Sequence, residues 1–287
     1  MLYSLADSMY TNISLCQKNS TMEKLVMKQL RRGVMRKHDR TAYIDAMREI
    51  DIHKMLNHPN IVRLKEVIDD NADDKVYLIM EHASRGRIMY HNRETDSFVF
   101  NNARSSEYDL PEKDVRKYAR QILQALVYLH QKKIMHLDLK PQNILLDEHG
   151  VAQIVDLGTS SIFYQDEMDQ ILSHRGTYEF MAPECYKQGK NTTHYSGRKA
   201  DVWAYGLCIY ALTFNDLPFR MGQGIETRYA HKNMAEQDLC FAEQKRNALI
   251  SDDLKDFLRR ALAHDPNERA SVVQLAEHPW LNANDWF

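Results

Sequence analysis

Residues 201–214, DVWAYGLCIYALTF, are apolar on almost every side when they are drawn as a helix. A helix on a protein surface keeps one polar face, so a helix that is apolar all round has to be enclosed by other elements. The segment is also shorter than the stretch of about 18 apolar residues that reads as a membrane span. It therefore predicts the buried centre of a domain, around which the other helices have to be arranged.

Length and composition set the size of the fold and exclude some functions. The chain has 287 residues, 44% of them hydrophobic and 27% charged, which suits one large domain or two lobes around a cleft. A net charge of −2 provides no basic excess for binding nucleic acid. No apolar run is long enough to cross a membrane, and MLYSLADSMYTN lacks the blocks of a signal peptide.

The cysteines favour a cytoplasmic protein. All four lie far apart and form no C-x-x-C motif, so the sequence indicates neither a disulfide framework nor a zinc site. We expect reduced thiols, as is usual in the cytosol. The four residues are Cys16, Cys185, Cys208 and Cys240.

The first 81 residues predict a small lobe of strands with one helix. The runs NISLC and KLVMKQL are candidate strands joined by KNSTME, and IVRLKEVI and KVYLIMEH are two more, joined by acidic DDNADD. The basic stretch 31–40 predicts a solvated loop, while a docking patch for an acidic partner is the less favoured interpretation. A helix is expected over 42–56, with an apolar face made of Ile44, Met47, Ile50 and Met55.

The remainder of the chain predicts a mostly helical lobe. The polar stretch 88–110 is expected to be a surface loop with one short helical piece. Two later helices are expected, one over 252–263 with Ser251 as its N-cap and one over 272–277. A long helix is expected to start near Pro111, with a buried face made of Val115, Tyr118, Ile122, Leu126 and Leu129.

Short motifs follow one another along the chain in a fixed order. HLDLKPQN at 136–143 differs by one letter from H-R-D-L-x-x-x-N, because Leu137 stands in the place of Arg. The other motifs, in chain order, are VMK at 26–28, Glu49 in the following helix, DLG at 156–158, APE at 182–184, DVW at 201–203 and Arg269 in DPNERAS. This ordered set resembles that of the eukaryotic protein kinase family, of the serine/threonine type, over essentially the whole chain.

Three further motifs narrow the resemblance to one group of kinases, and the resemblance also implies a fold. HPWL, GTYEFMAPE and SDDLKDFLRRAL resemble most the calcium/calmodulin-dependent group, and within it the kinases that activate other kinases. The implied fold class is α+β, a bilobal kinase fold with a small β-rich N-lobe at 1–82 and a larger, mostly helical C-lobe at 83–287. The implied cofactors are ATP and Mg²⁺, and the implied partners are a protein substrate with a Ser or Thr hydroxyl and a possible regulatory protein, with no nucleic acid or membrane.

The resemblance also implies roles for single residues. Lys28 would hold the α- and β-phosphates and Glu49 would pair with it, while Asn143 and Asp156 would bind Mg²⁺. The segment 136–143 would be the catalytic loop, in which Asp138 would accept or orient the substrate hydroxyl and Lys140 would lie near the γ-phosphate. Thr177 would link the segment 156–184, called the activation segment below, to Asp138 and Lys140, and Glu184 would form a buried pair with Arg269. The nucleotide-binding positions would be Ala6, Ser8, Thr11, Ile13, Val26, Met80, Glu81 and Leu145.

Several positions depart from the family pattern. The phosphate loop G-x-G-x-x-G-x-V has no glycine here, because Ala6, Ser8 and Thr11 occupy the three places, so we expect weaker nucleotide binding and a stiffer loop. Val26 replaces a smaller residue above the adenine. The larger side chain would overpack the site, which typically costs about 1–3 kcal/mol. Leu157 is a mild replacement for Phe, and His53 stands where an apolar residue packs, more often as a satisfied core residue than as a switch.

Leu137 removes a regulatory connection. In the family, the Arg at this place pairs with a phosphorylated residue of the activation segment and orders it. Leu cannot make that pair, so we expect phosphorylation of Ser173, the favoured site, to change turnover little.

Two functions remain open from the sequence. A working kinase is favoured, because every charged group that the chemistry needs is present; the alternative is a pseudokinase that acts as an interaction module with weak nucleotide binding. Only five residues precede Ala6, so we expect a very short first strand. Whether the N-terminus is truncated stays open from the sequence. The chain ends at Phe287, so no calmodulin-binding tail is expected within it, and control by a segment outside it stays open.

Overall fold

A five-stranded antiparallel sheet forms the N-terminal part of the protein in a computed structural model, which describes residues 2–70, 72–101, 109–164, 169–171, 175–186, 194–219, 237–242 and 249–283. The strand order is β1-β2-β3-β5-β4. The strands are β1 (Tyr3–Asp7), β2 (Thr11–Gln17), β3 (Lys24–Leu30), β4 (Leu64–Asp70) and β5 (Lys75–Glu81). The four strands predicted from the sequence are confirmed, and the short first strand pairs with β2 although all its residues are exposed.

Two helices lie between β3 and β4 in the chain. They are α1 (Arg32–His38) and α2 (Arg40–Lys54), and Asp39 caps α2 by accepting the Ala42 N–H at 2.9 Å. The predicted helix is therefore confirmed, but its core face is different, because Ile44 and Met55 are 51% and 46% exposed. The apolar residues that fill the small core against the sheet are Leu30, Met35, Ala46, Ile50, Val76 and Leu78.

The basic stretch 31–40 is not the solvated loop that was predicted, because most of it is α1. Arg32 is buried and its guanidinium lies 2.8 Å from both Asp69 and Asp74. Arg36 lies 2.7 Å from Asp74 as well. Asp69 near the end of β4 and Asp74 in the turn after it thus neutralise the basic helix. Contacts this distant in sequence leave no local signal in the 31–40 segment.

The polar stretch 88–110 was also predicted wrongly as a loop with a helical piece. It contains a hairpin of β7 (Met89–Asn92) and β8 (Ser97–Phe100), preceded by β6 (Gly86–Arg87); residues 102–108 lie outside the described part. Met89, Phe98 and Phe100 are buried in the main core. Strands this short carry only one or two buried residues each, so the alternation is too brief to recognise.

The C-terminal part is mostly helical and encloses the apolar segment found in the sequence. Its helices are α3 (Glu112–Gln131), α4 (Gly197–Phe214), α5 (Asp252–Ala261), α6 (Val272–Ala276) and α7 (Pro279–Asn282). Every residue of 201–214 is buried, and the predicted face of α3 is buried as well. Ser251 caps α5 as expected, by accepting the Leu254 N–H at 3.2 Å.

Short strands connect these helices and carry the loops of the candidate site. They are β9 (Ile134–Met135), β10 (Ile144–Leu146), β11 (Ala152–Ile154), β12 (Ser161–Ile162), β13 (Gln170–Ile171) and β14 (Tyr195–Ser196). β10 lies between β6 and β11, whereas β12 pairs with β9 and β13 pairs with β14. All four cysteines are free thiols. Within the described ranges, no helix combines the length and the apolar character that a bilayer crossing requires.

Candidate active site

Lys28, Glu49 and Asp156 form the first charged cluster of the site. The Lys28 ammonium on β3 lies 2.5 and 2.8 Å from the two carboxylate oxygens of Glu49 on α2, so the predicted ion pair is present. Asp156 Oδ1 lies 3.8 Å from the same ammonium. The Lys28 and Glu49 side chains are 13% and 7% exposed, whereas that of Asp156 is 51% exposed. Asp156 is therefore the most exposed of the three side chains, and Lys28 retains a smaller exposed part.

The electrostatics keep both ends of this cluster charged. Burial lowers the pKa of Lys28, but the carboxylates of Glu49 and Asp156 outweigh it, so the net pKa is above its ordinary value. Burial raises the pKa of Asp156, but the Lys28 ammonium and smaller contributions from His136, Gly158 and Lys140 outweigh it, so the net pKa is below its ordinary value. The cluster thus presents a fixed ammonium and an ionised carboxylate at neutral pH.

Asp138 is the centre of the second cluster. Its Oδ2 accepts hydrogen bonds from Lys140 Nζ at 2.8 Å and from the Asn143 amide at 3.1 Å. Its Oδ1 accepts the Thr177 hydroxyl at 2.7 Å, and Lys140 Nζ also donates to that hydroxyl at 2.5 Å. The predicted link from Thr177 to Asp138 and Lys140 is therefore confirmed. Three donors hold one carboxylate in a single orientation.

Asp201, near the start of the buried helix α4, fixes the backbone of the two residues before Asp138. One carboxylate oxygen accepts the His136 N–H at 2.9 Å and the other accepts the Leu137 N–H at 2.7 Å. His130 Nε2 lies 2.9 Å from Asp201 Oδ2. The sequence motif DVW identifies Asp201 only as the opening of the buried helix. A lone carboxylate at the edge of an apolar helix was the signal for this second task, because a buried charge needs donors.

Asn143 and Asp156 offer oxygen atoms suited to Mg²⁺. The Asn143 amide nitrogen donates to the Asp138 carbonyl at 2.9 Å, and this orientation turns its oxygen away from Asp138. Mg²⁺ is usually held by one or two protein oxygens, together with phosphate oxygens and water. Among the described residues, no group of three or more His, Cys, Asp or Glu side chains could hold a metal by itself. The two oxygens fit an ion that a nucleotide helps to bind.

The nucleotide-binding positions do not all share one face of the sheet. Lys28 lies opposite Ile13, and Val26 lies opposite Met80, so these four side chains share a face. Glu81 lies opposite Leu25 on the other face, and its carboxylate is 2.6 Å from Lys65. Only the main chain of Glu81 is thus left to meet a nucleotide. Leu145 lies apart from the sheet on β10, two residues after Asn143.

The glycine-free hairpin between β1 and β2 is closed by its own side chains. The Ser8 N–H donates to the Thr11 carbonyl at 2.8 Å, and the Thr11 N–H donates to the Ser8 hydroxyl at 3.1 Å. Ala6 lies in β1, opposite Ile13. None of residues 2–17 has a left-handed φ, so this turn does not need glycine. Two N–H groups that a phosphate could use are already engaged.

Arg31, the residue that follows β3, also holds the same hairpin. Its guanidinium donates to the Ser8 carbonyl, to the Met9 carbonyl at 3.3 Å and to the Asp7 carboxylate at 2.6 Å. Its own N–H donates to the Tyr10 carbonyl at 2.8 Å. These bonds agree with the stiff loop that we expected, although the sequence did not reveal Arg31 as their source.

Three further predictions concern His53, Ser173 and Leu157. His53 is buried, and its Nε2 lies 2.8 Å from the Val62 carbonyl, but its Nδ1 has no hydrogen-bond partner within the described structure, so it is only half satisfied. Ser173 lies outside the described residues. Leu157 is buried as an apolar packing residue.

The comparison with known proteins agrees with this arrangement. The chain matches the family model described as protein kinase domain over residues 8–281. Serine/threonine-protein kinase GRIK2 of Arabidopsis thaliana is 34% identical over 245 residues, which are 85% of this chain and 54% of that protein. The calcium/calmodulin-dependent protein kinase kinase of Caenorhabditis elegans is 35% identical over 235 residues, which are 82% of this chain and 39% of that protein.

A third relative extends the range of organisms. A probable serine/threonine-protein kinase of Dictyostelium discoideum is 32% identical over 257 residues, which are 90% of this chain and 33% of that protein. The chain therefore spans between a third and about half the length of these relatives. Because the family match runs over nearly the whole chain, and two of these relatives are named serine/threonine-protein kinases, the chain belongs to the protein kinase domain family, on its serine/threonine branch.

Proposed function

We propose that the protein transfers the γ-phosphate of ATP to a Ser or Thr hydroxyl of a protein substrate. The observation that carries the proposal is the Asp138 carboxylate, held by Lys140, Asn143 and the Thr177 hydroxyl. The Val155 N–H donates to the Asn143 carbonyl at 2.9 Å, so Asp156, the next residue, lies beside the Asp138 cluster. Phosphoryl transfer needs mainly positioning and neutralisation of charge, and both are supplied here by side chains that are already oriented.

Each charged residue has one task in this proposal. Asp138 orients the substrate hydroxyl and accepts its proton, while Lys140 compensates charge beside it. Lys28, aimed by Glu49, holds the α- and β-phosphates. Asn143 and Asp156 hold Mg²⁺, which neutralises phosphate charge when it is bound.

The substrate is proposed to enter next to Asp138. A cavity of about 610 Å³ extends from Lys140 and Thr177 to the β7–β8 hairpin, with Phe98 and Glu179 in its wall. Because one relative is named a protein kinase kinase, we propose another protein kinase as the substrate class. We also propose a cytoplasmic site of action, a regulatory partner protein, and a boundary between the lobes at residues 82 and 83.

The test is transfer of labelled phosphate from ATP and Mg²⁺ to a generic substrate and to inactive kinase domains. Replacing Asp138 by Asn should lower transfer on the order of 10²- to 10⁴-fold, as removal of a catalytic base does. The exchange Asp253→Asn, in the exposed first turn of α5, is the matched control and should change nothing. Transfer that survives Asp138→Asn would contradict the assignment of Asp138.

A pseudokinase that serves as an interaction module is the second candidate. The self-bonded Ser8–Thr11 hairpin favours it, because engaged N–H groups bind phosphate poorly. Thermal unfolding with and without ATP and Mg²⁺ separates the two candidates. Nucleotide at 100 times its Kd should stabilise a working kinase by about 2.7 kcal/mol. No stabilisation at millimolar nucleotide, together with no phosphate transfer, would establish the pseudokinase instead.

A further inference from the structure

Asp169 is a buried carboxylate in the activation segment for which the proposed function provides no task. The residue is 5% exposed. Its Oδ2 accepts a hydrogen bond from Arg198 Nε at 3.1 Å and another from the Ser196 hydroxyl. Its backbone carbonyl accepts the Gly197 N–H at 2.9 Å. A buried carboxylate with a guanidinium and a hydroxyl as donors is a charge-assisted contact, which is stronger than a neutral one.

Within the described residues, the donors of Asp169 come from the beginning of α4. Ser196 is the N-cap of this 18-residue helix, and its hydroxyl also accepts the Lys199 N–H at 3.2 Å. Negative charge is stabilised at a helix N-terminus. The Arg198 guanidinium is held in turn, since it lies 4.9 Å from the centre of the Phe163 ring. Because α4 is the most buried helix, its N-terminus is a rigid support for the segment.

An apolar contact lies beside this charged one, at the position where the family motif has Arg. A Cβ added to Gly197 would lie 3.1 Å from Leu137 Cδ2 and 3.3 Å from Ile171 Cγ1, so both side chains approach the start of α4. Ile171 follows Asp169 by two residues and pairs with Tyr195 in the β13–β14 ladder. Leu137 thus packs where an Arg could have reached out to a phosphate.

We propose that Asp169 is a positioning residue that holds the activation segment on the N-terminus of α4 without phosphorylation. The Asp169 carboxylate supplies a fixed negative charge. Arg198 binds this charge, in place of the catalytic-loop Arg that Leu137 replaces here. The same segment continues to Thr177, which bonds Asp138 and Lys140. The inference rests on the proposed function in its kinetic consequence only, because the anchoring of the segment is a property of the fold.

The kinetic test uses Asp169→Ala and Asp169→Asn in the full chain, without prior phosphorylation. With Asp169→Ala, kcat should fall on the order of 10- to 100-fold, since a small displacement of Thr177 and Asp138 is costly. The KM for ATP should change less than about twofold, because Lys28 and Glu49 are held on β3 and α2. Asp169→Asn keeps one acceptor oxygen, so its kcat should lie between those of the wild type and Asp169→Ala. Asp252→Ala, whose side chain is 98% exposed, is the matched control.

A double variant separates positioning from simple damage to the fold. If Asp169 and Arg198 act as one unit, Asp169→Ala combined with Arg198→Gln should lower kcat no further than the worse single variant. Multiplicative losses, or a kcat for Asp169→Ala equal to that of the wild type, would overturn the proposal.

Hydrogen exchange at the Gly197 amide tests the anchor without any activity. This amide donates to the Asp169 carbonyl and should exchange at least about tenfold faster in Asp169→Ala, while the interior of α4 keeps its protection. Unchanged exchange at Gly197 would also overturn the proposal. If the wild type transferred no phosphate, the proposed function would fail, and the exchange measurement alone would decide on Asp169.

Discussion

Leu137 and Asp156 are two residues of the candidate site with a left-handed backbone, each with a φ of 65°. Such conformations cost on the order of 1–3 kcal/mol each and persist only where the surroundings impose them. At Leu137, the Asp201 carboxylate holds this conformation by accepting the Leu137 N–H. At Asp156 the side chain bends back to accept the Gly158 N–H at 3.3 Å. The fold therefore uses a single distant carboxylate to keep the catalytic loop in an unfavourable backbone state.

Asp201→Asn tests this role directly. The amide has one acceptor oxygen, so at least one of the N–H groups of His136 and Leu137 loses its partner. A buried donor without a partner costs about 1–3 kcal/mol. We expect that loss in the free energy of unfolding, measured with urea, and a fall in kcat with little change in the KM for ATP. An Asn variant as active and as stable as the wild type would show that Asp201 does not hold the loop.

His53 makes the stability of the fold depend on pH. Burial lowers its pKa below 6.5, although the hydrogen bond to Val62 and the charge of Glu49 oppose the shift. The unfolded chain therefore binds a proton near pH 6.5 while the folded protein does not, so stability is present above that pH and is lost as the pH falls.

His53→Leu should remove part of this dependence. In urea unfolding between pH 7.5 and pH 5, the variant should lose less stability than the wild type. The difference should be about 1.4 kcal/mol for each unit by which folding lowers the pKa of His53. His58 and His82, whose pKa values burial also lowers, should keep some slope in both proteins. Parallel curves for the two proteins would contradict the assignment of this slope to His53.

At the scale of the elements, Arg31 fixes the β1–β2 hairpin, which the resemblance to kinases places over the nucleotide phosphates. In Arg31→Ala the hairpin keeps its ladder but loses the contacts to Asp7, Ser8 and Met9. These groups are partly exposed, so the loss is worth at most about 1 kcal/mol. We expect the KM for ATP to rise about two- to fivefold with kcat almost unchanged.

Arg36→Ala is the matched control for this hairpin experiment. It removes a neighbouring guanidinium that pairs with Asp74 and does not touch the hairpin. An equal change of KM in both variants would mean that the effect comes from charge alone, and that Arg31 does not fasten the hairpin.

The elements also show which parts of the structure could be predicted. The helices α3 and α4 could be predicted because their apolar patterns are a property of local sequence. Helix α1 could not, because Arg32 depends on Asp74, which is 42 residues away. The motif order identified the residues that the site brings together, such as Lys28 and Glu49. It could not reveal the closed hairpin, since hydrogen bonds between Ser8 and Thr11 leave no pattern in the sequence.

At the scale of the whole molecule, one buried ion pair joins the end of the activation segment to the C-terminal helices. Arg269 is 1% exposed and donates to both oxygens of Glu184, at 2.6 and 3.0 Å. It also donates to three backbone carbonyls, those of Ala263, Lys199 and His264. Its guanidinium lies 5.0 Å from the centre of the Trp203 ring. The predicted pair is thus present and is part of a fully used network.

Arg269→Met should be the most destabilising of the changes considered. It leaves the Glu184 carboxylate buried without its cation, which costs about 3–5 kcal/mol of global stability. Arg260→Met is the control, because Arg260 forms an exposed pair with Asp256 at 2.9 Å and should cost less than about 1 kcal/mol. Denaturant unfolding of the two variants measures the difference. Equal losses would mean that the buried network does not hold the fold together.

During synthesis, the catalytic loop leaves the ribosome before the residue that holds it. His136 and Leu137 precede Asp201 by 65 and 64 residues. At about 5–20 residues per second, the ribosome needs several seconds to cover that interval. A chain interrupted in this interval carries Asp138 but lacks the carboxylate that shapes the loop, so we expect incomplete products to be inactive. The order of the elements along the chain thus delays the final geometry around Asp138 until the central helix has been made.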